Sequence, residues 1–372
     1  VDQAAVDKAI ESGLQFLKSE ETPDRPVLES DEFRLLTYLH GGMPEETPEL
    51  QGLLKKCLEA PLDKTYKVSV LAMCLEELDR VRYQHKIAQC GQYLLDNQKP
   101  NGGWGYGEAT PTTHDVPSGA SRKDVPSGGG KTPTGERIKP EVKGKIKLTK
   151  KREGPAARSD HSNAQYAALG MRACHDAGIV FPKDALTKCK GYWEASQHPS
   201  QEKAGGKVAS GGTAPGTPRG WCYNDTQDAS CGRGGPAYGS MTAGSVASLC
   251  IYDHMLCKDF RKDKAVLDGL AWLDRNWSVT ENVGPSETAK GVANAWLYYY
   301  LYAVERTGML YDTSLIGSHD WYLEGARELL AAQKADGSWD ASHFKNATRD
   351  TCFAILFLKR ATRRLTASGG AK

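Results

Sequence analysis

The chain has 372 residues, and its 48 Lys and Arg nearly balance its 46 Asp and Glu, which leaves a formal net charge of +2. This balance gives no general case for nucleic-acid binding, which needs an excess of clustered positive charge. The sequence contains no apolar run of the roughly 18 residues that a membrane-spanning helix requires, so we expect no transmembrane segment.

The cysteines bear on redox compartment and metal binding. None of the ten Cys residues forms a Cys-x-x-Cys pair, which argues against a zinc ribbon. Cys222 and Cys231 lie in one loop, and a disulfide between them would imply an oxidising compartment. The chain starts at Val1 rather than Met, as expected if a leader has been removed by processing or cloning. Export to the periplasm is therefore slightly favoured over the cytoplasm.

Helical periodicity predicts six pairs of helices, in which an amphipathic (outer) helix precedes a more apolar (inner) one. The predicted outer helices are residues 3–18, 48–60, 84–97, 182–197, 262–276 and 319–333. The predicted inner helices are residues 31–40, 65–78, 160–177, 240–256, 288–306 and a last one from about 350. The last inner helix is so apolar that it should be buried on nearly every side.

A turn with the same residues follows three of the outer helices. The first of these turns contains Gln98, Gly102 and Trp104, and the last contains Gln333, Gly337 and Trp339. In the second, Gln197 is separated from Trp221 by an insertion. Gly supplies the positive φ of a sharp reversal, Gln can bond free backbone groups at a helix end, and Trp can stack over that end. We expect the three Trp side chains to be buried as clamps.

The Gln-x-x-x-Gly-x-Trp turn between an amphipathic and an apolar helix resembles the QW repeat of terpenoid cyclases and protein prenyltransferase β-subunits. The chain is most similar to bacterial proteins with prenyltransferase and squalene oxidase repeats. This resemblance implies an all-α fold, an α/α toroid of six inner and six outer helices around a central cavity, with residues 1–372 as one domain. It is specific for fold and weak for reaction, because fold does not imply function.

Two long insertions, residues 107–159 and 198–239, interrupt this pattern. Both join an outer helix to an inner helix, and such links lie at one end of an alternating ring, so we expect both at one mouth of the cavity. Residues 131–152 hold nine Lys or Arg and two Glu, a charge of +7. This segment is either a solvated loop or an arm that attracts anions, and its alternation around Gly144 predicts a short hairpin.

The first residues of the inner helices should lie at the same mouth, where helix dipoles favour an anionic group. Most of them are Asp, Ser or Thr, which are ordinary N-caps. His161 and Arg349 are not preferred caps. We therefore expect any catalytic centre to use Asp350 as acid or base, His161 as proton carrier and Arg349 as anion clamp.

The family motifs are only partly present. Class II terpenoid cyclases start with an Asp-x-Asp-Asp acid, but the matching stretch is Thr348-Arg349-Asp350-Thr351, so acid-initiated cyclisation is in doubt. Asp350-Thr351-Cys352 matches the Asp-x-Cys zinc ligands of prenyltransferases. The candidate His161 would lie across the ring, however, too far to share a zinc ion. We expect neither a metal nor another cofactor.

The fifth inner helix is rich in aromatic residues, which pack in a core, stabilise carbocations by cation–π attraction, or stack on sugars. The candidate ligand-binding residues are Trp296, Tyr298, Tyr299, Tyr302, Tyr166 and Lys290. The leading hypothesis is a toroid that binds a small isoprenoid or lipid-like ligand, either as a cyclase-like or prenyltransferase-like enzyme or without turnover. A polysaccharide lyase or hydrolase and a non-catalytic binding or scaffold module are the alternatives.

Overall fold

A computed structural model describes residues 1–20, 30–117, 130–131, 137–156, 158–199, 213–224, 237–284, 296–340 and 346–365. Within these ranges the chain is mostly α-helical, which confirms the all-α prediction. The helices are α1 (Gln3–Ser19), α2 (Asp31–Gly41), α3 (Pro48–Glu59), α4 (Thr65–Asp79), α5 (Gln84–Asn97), α6 (His161–Asp176), α7 (Lys183–Ser196), α8 (Gly239–Met255), α9 (Lys264–Arg275), α10 (Leu297–Tyr311), α11 (Trp321–Ala332) and α12 (Ala347–Leu358).

Two short 3-10 helices, Pro111–His114 and Phe260–Lys262, and three pairs of two-residue strands complete the regular structure of the described residues. The strands are β1 (Gly130–Lys131) with β2 (Arg137–Ile138), β3 (Ile146–Lys147) with β4 (Ile179–Val180), and β5 (Leu315–Ile316) with β6 (His319–Asp320). The β3–β4 pair is parallel and the other two are antiparallel. None of the described helices combines the length and the apolar character needed to cross a membrane.

The helices of the two predicted classes bury their surfaces differently. In α8 and α12 nearly every residue is buried, as predicted for inner helices. In α1 the buried positions are Val6, Ala9, Ile10, Gly13 and Leu17, a single stripe with helical spacing. A helix with one apolar stripe covers a core, whereas a helix that is apolar all round lies within it.

The contacts divide the chain into two compact units. Unit 1 comprises residues 1–22, 160–165 and 190–372, and unit 2 comprises residues 23–159 and 166–189. In unit 1, α8 packs against α9 and α10, α10 packs against α12, and α12 and α11 pack against α1. In unit 2, α4 packs against α2 and α5. The prediction of one domain stays a prediction.

The hairpin predicted around Gly144 is wrong. Instead, Ile146 pairs in parallel with Ile179, and Gln84 donates a hydrogen bond from Nε2 to the Gly144 carbonyl at 2.7 Å. Burial of Ile146 within unit 2 outweighs the local preference of the segment for a two-strand turn. The basic segment is also partly neutralised within unit 2, since Lys139 pairs with both Glu76 and Glu77.

The fifth inner helix is displaced from its predicted range of 288–306. The described part starts at Leu297 and continues to Tyr311, and residues 288–295 lie outside the described residues. The helix continues past its predicted end through Gly308, where the ring of Trp321 lies so close that a Cβ would overlap it. Before the helix, Trp296 adopts a left-handed conformation with φ of 63°.

Candidate functional site

The three predicted Trp clamps share one geometry. Trp104, Trp221 and Trp339 are buried, which confirms the prediction. Each indole Nε1 donates a hydrogen bond to a backbone carbonyl four residues before the motif Gln. The three bonds are Trp104 to Leu94 at 2.8 Å, Trp221 to Trp193 at 2.9 Å and Trp339 to Leu329 at 2.8 Å. Each clamp therefore satisfies an orphan carbonyl of the outer helix that it follows.

The motif glutamines connect one outer helix to the next. Gln98 at the end of α5 donates to Ala185 O in α7 at 2.9 Å, and Gln197 after α7 donates to Ala265 O in α9 at 3.0 Å. Gln333 after α11 donates to Ala9 O in α1 at 2.8 Å. The expectation that Gln bonds backbone groups is confirmed, and the acceptor in each case lies on a neighbouring helix.

The motif glycines are required by close backbone contacts. Gly102 and Gly337 have φ of 89° and 87°. A Cβ on either would overlap a helix carbonyl, that of Lys188 for Gly102 and that of Ser12 for Gly337. Positive φ and lack of space together make glycine necessary at both turns.

A fourth link of this kind was missed in the sequence because its donor is Trp277 rather than Gln. Its Nε1 donates to Glu324 Oε2 of α11 at 2.6 Å. The preceding Asn276 bonds back to the Trp272 carbonyl, as Asn97 before Gln98 bonds back to the Tyr93 carbonyl. An Asn at the helix end was thus the sequence signal that could have found this position.

His161, predicted as a proton carrier, is the first residue of α6, and its side chain is enclosed by protein groups. Its Nδ1 lies 2.6 Å from the Cys222 carbonyl and its Nε2 lies 2.7 Å from Ser196 Oγ. The imidazole is buried and stacks on the Trp193 ring at 4.9 Å. Burial lowers the pKa of His161 to about 4, against the opposing effect of the hydrogen bond to Cys222. The ring is therefore neutral at pH 7, donating from Nδ1 and accepting at Nε2.

Arg349 and Asp350, the predicted anion clamp and acid or base, lie in the first turn of α12. Arg349 Nε contacts Asp350 Oδ1 at 3.1 Å, and the guanidinium lies 4.4 Å from the centroid of the Trp296 ring. Asn346 caps this helix by accepting from the Arg349 backbone at 2.8 Å. A buried cation is thus held between an aromatic face and a carboxylate at a helix N-terminus.

The structure brings four of the predicted aromatic residues, Trp296, Tyr298, Tyr299 and Tyr302, into the region of this pair. The ring of Tyr299 meets those of Trp296 and Phe353 edge-on, at 5.9 and 5.4 Å. Tyr302 contacts Phe353 at 6.0 Å. Tyr298 is buried in the same helix, and burial followed by the nearby charge of Asp350 raises its pKa. The α10 aromatic residues and Phe353 therefore form a largely apolar wall beside Arg349.

Four residues of this region were not singled out from the sequence. Ser162 Oγ lies 2.7 Å from Tyr299 Oη, and Gln165 Nε2 donates to the same oxygen at 2.6 Å. Arg306 Nη2 donates to Gln165 Oε1 at 2.7 Å, and its guanidinium lies over the Tyr302 ring. Phe353 is the fourth. These side chains resemble ordinary helix residues in the sequence, and only their tertiary contacts with residues of α10 place them together.

The remaining predicted ligand-binding residues are Tyr166 and Lys290. Tyr166 belongs to unit 2, where its ring packs against Tyr66 at 4.9 Å. Lys290 lies outside the described residues. Its role as a ligand-binding residue stays a prediction.

The described residues contain no group of three or more His, Cys, Asp or Glu side chains arranged to hold a metal ion. Asp350 and Cys352 are both buried in the first two turns of α12. The possible disulfide partner Cys231 lies outside the described residues, whereas the thiol of Cys222 donates to the Asn224 carbonyl at 2.8 Å. The pairing of these two cysteines stays a prediction.

Comparison with known proteins gives no independent assignment. No protein-family model matches the chain, and no curated protein matches it. The cluster around Arg349 and the repeated links between helices are therefore the features that bear on function.

Proposed function

We propose that the chain closes as an α/α toroid of the terpenoid cyclase and prenyltransferase type. Four side-chain links support this arrangement: α5 to α7, α7 to α9, α9 to α11 and α11 to α1. The last link joins a helix near the C-terminal end to the first helix of the chain, which a closed ring of helices requires. The packing of α12 against α1 supports the same closure.

Within this fold, the proposed function is binding of an isoprenoid or other lipid-like ligand through an anionic headgroup at Arg349. One observation carries the proposal: a buried guanidinium lies 4.4 Å over Trp296 and 3.1 Å from Asp350, beside the α10 aromatic wall. A planar guanidinium recognises phosphate or carboxylate by paired hydrogen bonds. The tyrosines of α10 and Phe353 would contact the apolar part of the ligand.

Binding without acid-initiated cyclisation fits these residues best. The position that holds the acid in class II cyclases is Arg349, and a guanidinium stays protonated in proteins. Both ring nitrogens of His161 take part in hydrogen bonds within unit 1. Proton transfer by Asp350 and His161 stays a prediction, and binding requires neither group to titrate.

The setting of the cluster favours an isoprenoid over a polysaccharide. Arg349 is 5% exposed, and Tyr299, Tyr302 and Phe353 are buried around it. Polysaccharide sites are open and charged, whereas a dry aromatic environment suits an apolar chain with a single polar end.

Titration with three probes tests the proposal: farnesyl pyrophosphate, farnesol and inorganic pyrophosphate. Tryptophan fluorescence and calorimetry should report binding of farnesyl pyrophosphate, with farnesol and pyrophosphate each weaker because one half of the contact is missing. Arg349→Ala should weaken binding of farnesyl pyrophosphate about 10- to 100-fold, the usual effect of losing a hydrogen bond to a charged group.

The chain offers a matched control at the other end of α12. Arg360 also stacks on an aromatic ring, that of Tyr322 at 4.5 Å. Arg360→Ala should bind farnesyl pyrophosphate like the parent. Equal binding by the parent and Arg349→Ala would overturn the proposed site, as would failure of the parent to bind the probe.

A further inference from the structure

The orientation of the Gln165 side chain follows from its contact with Arg306. Arg306 Nη2 lies 2.7 Å from Gln165 Oε1. A guanidinium has only donors, so its partner must be the amide oxygen rather than the amide nitrogen. The Gln165 NH2 group is consequently turned toward Tyr299.

The hydrogen-bonding role of Tyr299 follows in turn. Gln165 Nε2 lies 2.6 Å from Tyr299 Oη, and an amide NH2 group can only donate. The phenol oxygen therefore accepts from Gln165, and its own hydrogen points elsewhere. Ser162 Oγ, at 2.7 Å, is one group to which that hydrogen can turn.

Packing holds this chain of hydrogen bonds in place. Arg306, Gln165 and Tyr299 are all buried, on α10 and in the first turns of α6. Gly244 of α8 lies against the amide, and a Cβ there would overlap Gln165 Oε1. The close contact restricts the position of the amide, and a flip would set its NH2 group against the donors of Arg306.

Tyr299 also lies beside the proposed anion clamp. Its ring meets Trp296 edge-on at 5.9 Å, and the guanidinium of Arg349 lies 4.4 Å from the centroid of the same indole. Tyr299 also meets Phe353, which is in the helix that carries Arg349, at 5.4 Å. Tyr299 and Arg349 are therefore neighbours of one indole, and they carry a hydroxyl donor and a cation.

We propose that Tyr299 Oη donates a hydrogen bond to the anionic headgroup bound by Arg349, and that Gln165 and Arg306 are the positioning residues that fix it as a donor. This inference rests on the proposed function. On binding, the phenol hydrogen turns to a headgroup oxygen, with no bond broken and no proton transferred. The favoured ligand class is a phosphorylated or carboxylated lipid rather than a neutral one.

Gln165→Glu tests the direction of the hydrogen bond with little change of shape. The new carboxylate beside Arg306 accepts only, so Tyr299 must donate to it and loses its hydrogen for the ligand. Binding of farnesyl pyrophosphate should weaken about tenfold or more, as for loss of a hydrogen bond to a charged group. Tyr299→Phe should lose a similar factor, and the double variant should lose no more than either single one.

Ser162→Ala is the matched control, because it removes the other neighbour of Tyr299 Oη but leaves the Gln165 donor. It should bind farnesyl pyrophosphate at least as tightly as the parent. A fluorotyrosine placed at position 299 gives a readout without ligand: its ¹⁹F resonance should shift in Gln165→Glu, where the phenol changes from acceptor to donor.

Two results separate this inference from the proposed function. Parent-like binding by Gln165→Glu, or an unshifted ¹⁹F resonance in that variant, overturns the role of Tyr299 while Arg349 keeps its role. A parent chain that binds none of the three probes overturns both.

Discussion

The starts of α6 and α12 occupy equivalent places in the repeat, yet their polar residues behave differently. His161 at the start of α6 has one ring nitrogen against Cys222 O, the other against Ser196 Oγ, and a face on Trp193. Arg349 at the start of α12 lies across the Trp296 ring and against Asp350. The imidazole ties a loop to a helix end, whereas the guanidinium presents positive charge beside aromatic residues.

The difference shows that an unusual residue at a helix start is not by itself a sign of catalysis. His161 and Arg349 were selected from the sequence by the same argument, that neither is a preferred cap. Only the surroundings in the folded protein distinguish His161, a neutral imidazole with both ring nitrogens hydrogen-bonded, from Arg349, a buried cation. The predictions below test that separation and the shared clamps behind it.

The largest effect is expected at the clamp beside α12. Trp339 is buried, its Nε1 bonds to Leu329 O, and its backbone N–H donates to Thr351 Oγ1 at 3.0 Å. Trp339→Ala should lower the free energy of unfolding by about 3–5 kcal/mol, because it leaves a cavity and an unpaired carbonyl. Denaturant unfolding measures this change.

Trp277 provides the control for that substitution, because it is partly exposed and stacks on His319 at 4.9 Å. Trp277→Ala should cost clearly less than Trp339→Ala. An unchanged unfolding midpoint in Trp339→Ala would rule out the clamp role.

The pH dependence of stability should distinguish the two helix starts. The pKa of His161 is lowered to about 4 by burial, so between pH 6.5 and 4 the unfolded chain binds a proton that the folded chain does not. The contribution of His161 to the free energy of unfolding is therefore fully present above about pH 6.5. It falls with decreasing pH, by about 3 kcal/mol at pH 4. Urea unfolding at several pH values measures this slope.

His161→Gln should flatten that slope, whereas Arg349→Ala should leave it as in the parent, since Arg does not titrate in this range. Comparison with the parent cancels the contributions of other groups, such as Asp253, whose pKa is raised to about 6 chiefly by burial. Identical slopes in the parent and His161→Gln would contradict the buried, neutral imidazole.

A smaller effect is expected at the turn glycines. Gly337→Ala and Gly102→Ala both force a Cβ into a positive-φ turn against a helix carbonyl, and each should cost about 1–3 kcal/mol. Gly52→Ala in α3, with open space around it, should instead be neutral or slightly stabilising. Thermal unfolding of the three variants would show whether the two turns are equivalent. A large loss of stability in only one of the two turn variants would contradict that equivalence.

Much of the local structure could be predicted from the sequence because it depends on residues close together in the chain. Helical spacing located the helices, and the Gln, Gly and Trp of the turns act on a helix end only a few residues away. The predictions failed where distant segments compete. The fifth inner helix was predicted to end at 306, but α10 continues through Gly308 to Tyr311, and the segment at Ile146 pairs with Ile179 instead of folding on itself.

The sequence by itself determined the all-α character and the three clamps, since periodicity and turn chemistry are local properties of a chain. Tertiary structure alone decided what each polar side chain does there. Gln165, Arg306 and Tyr299 form a directed set of hydrogen bonds, although Gln165 and Arg306 are 141 residues apart. Such contacts depend on which helix faces meet, and no pattern within a single helix specifies them.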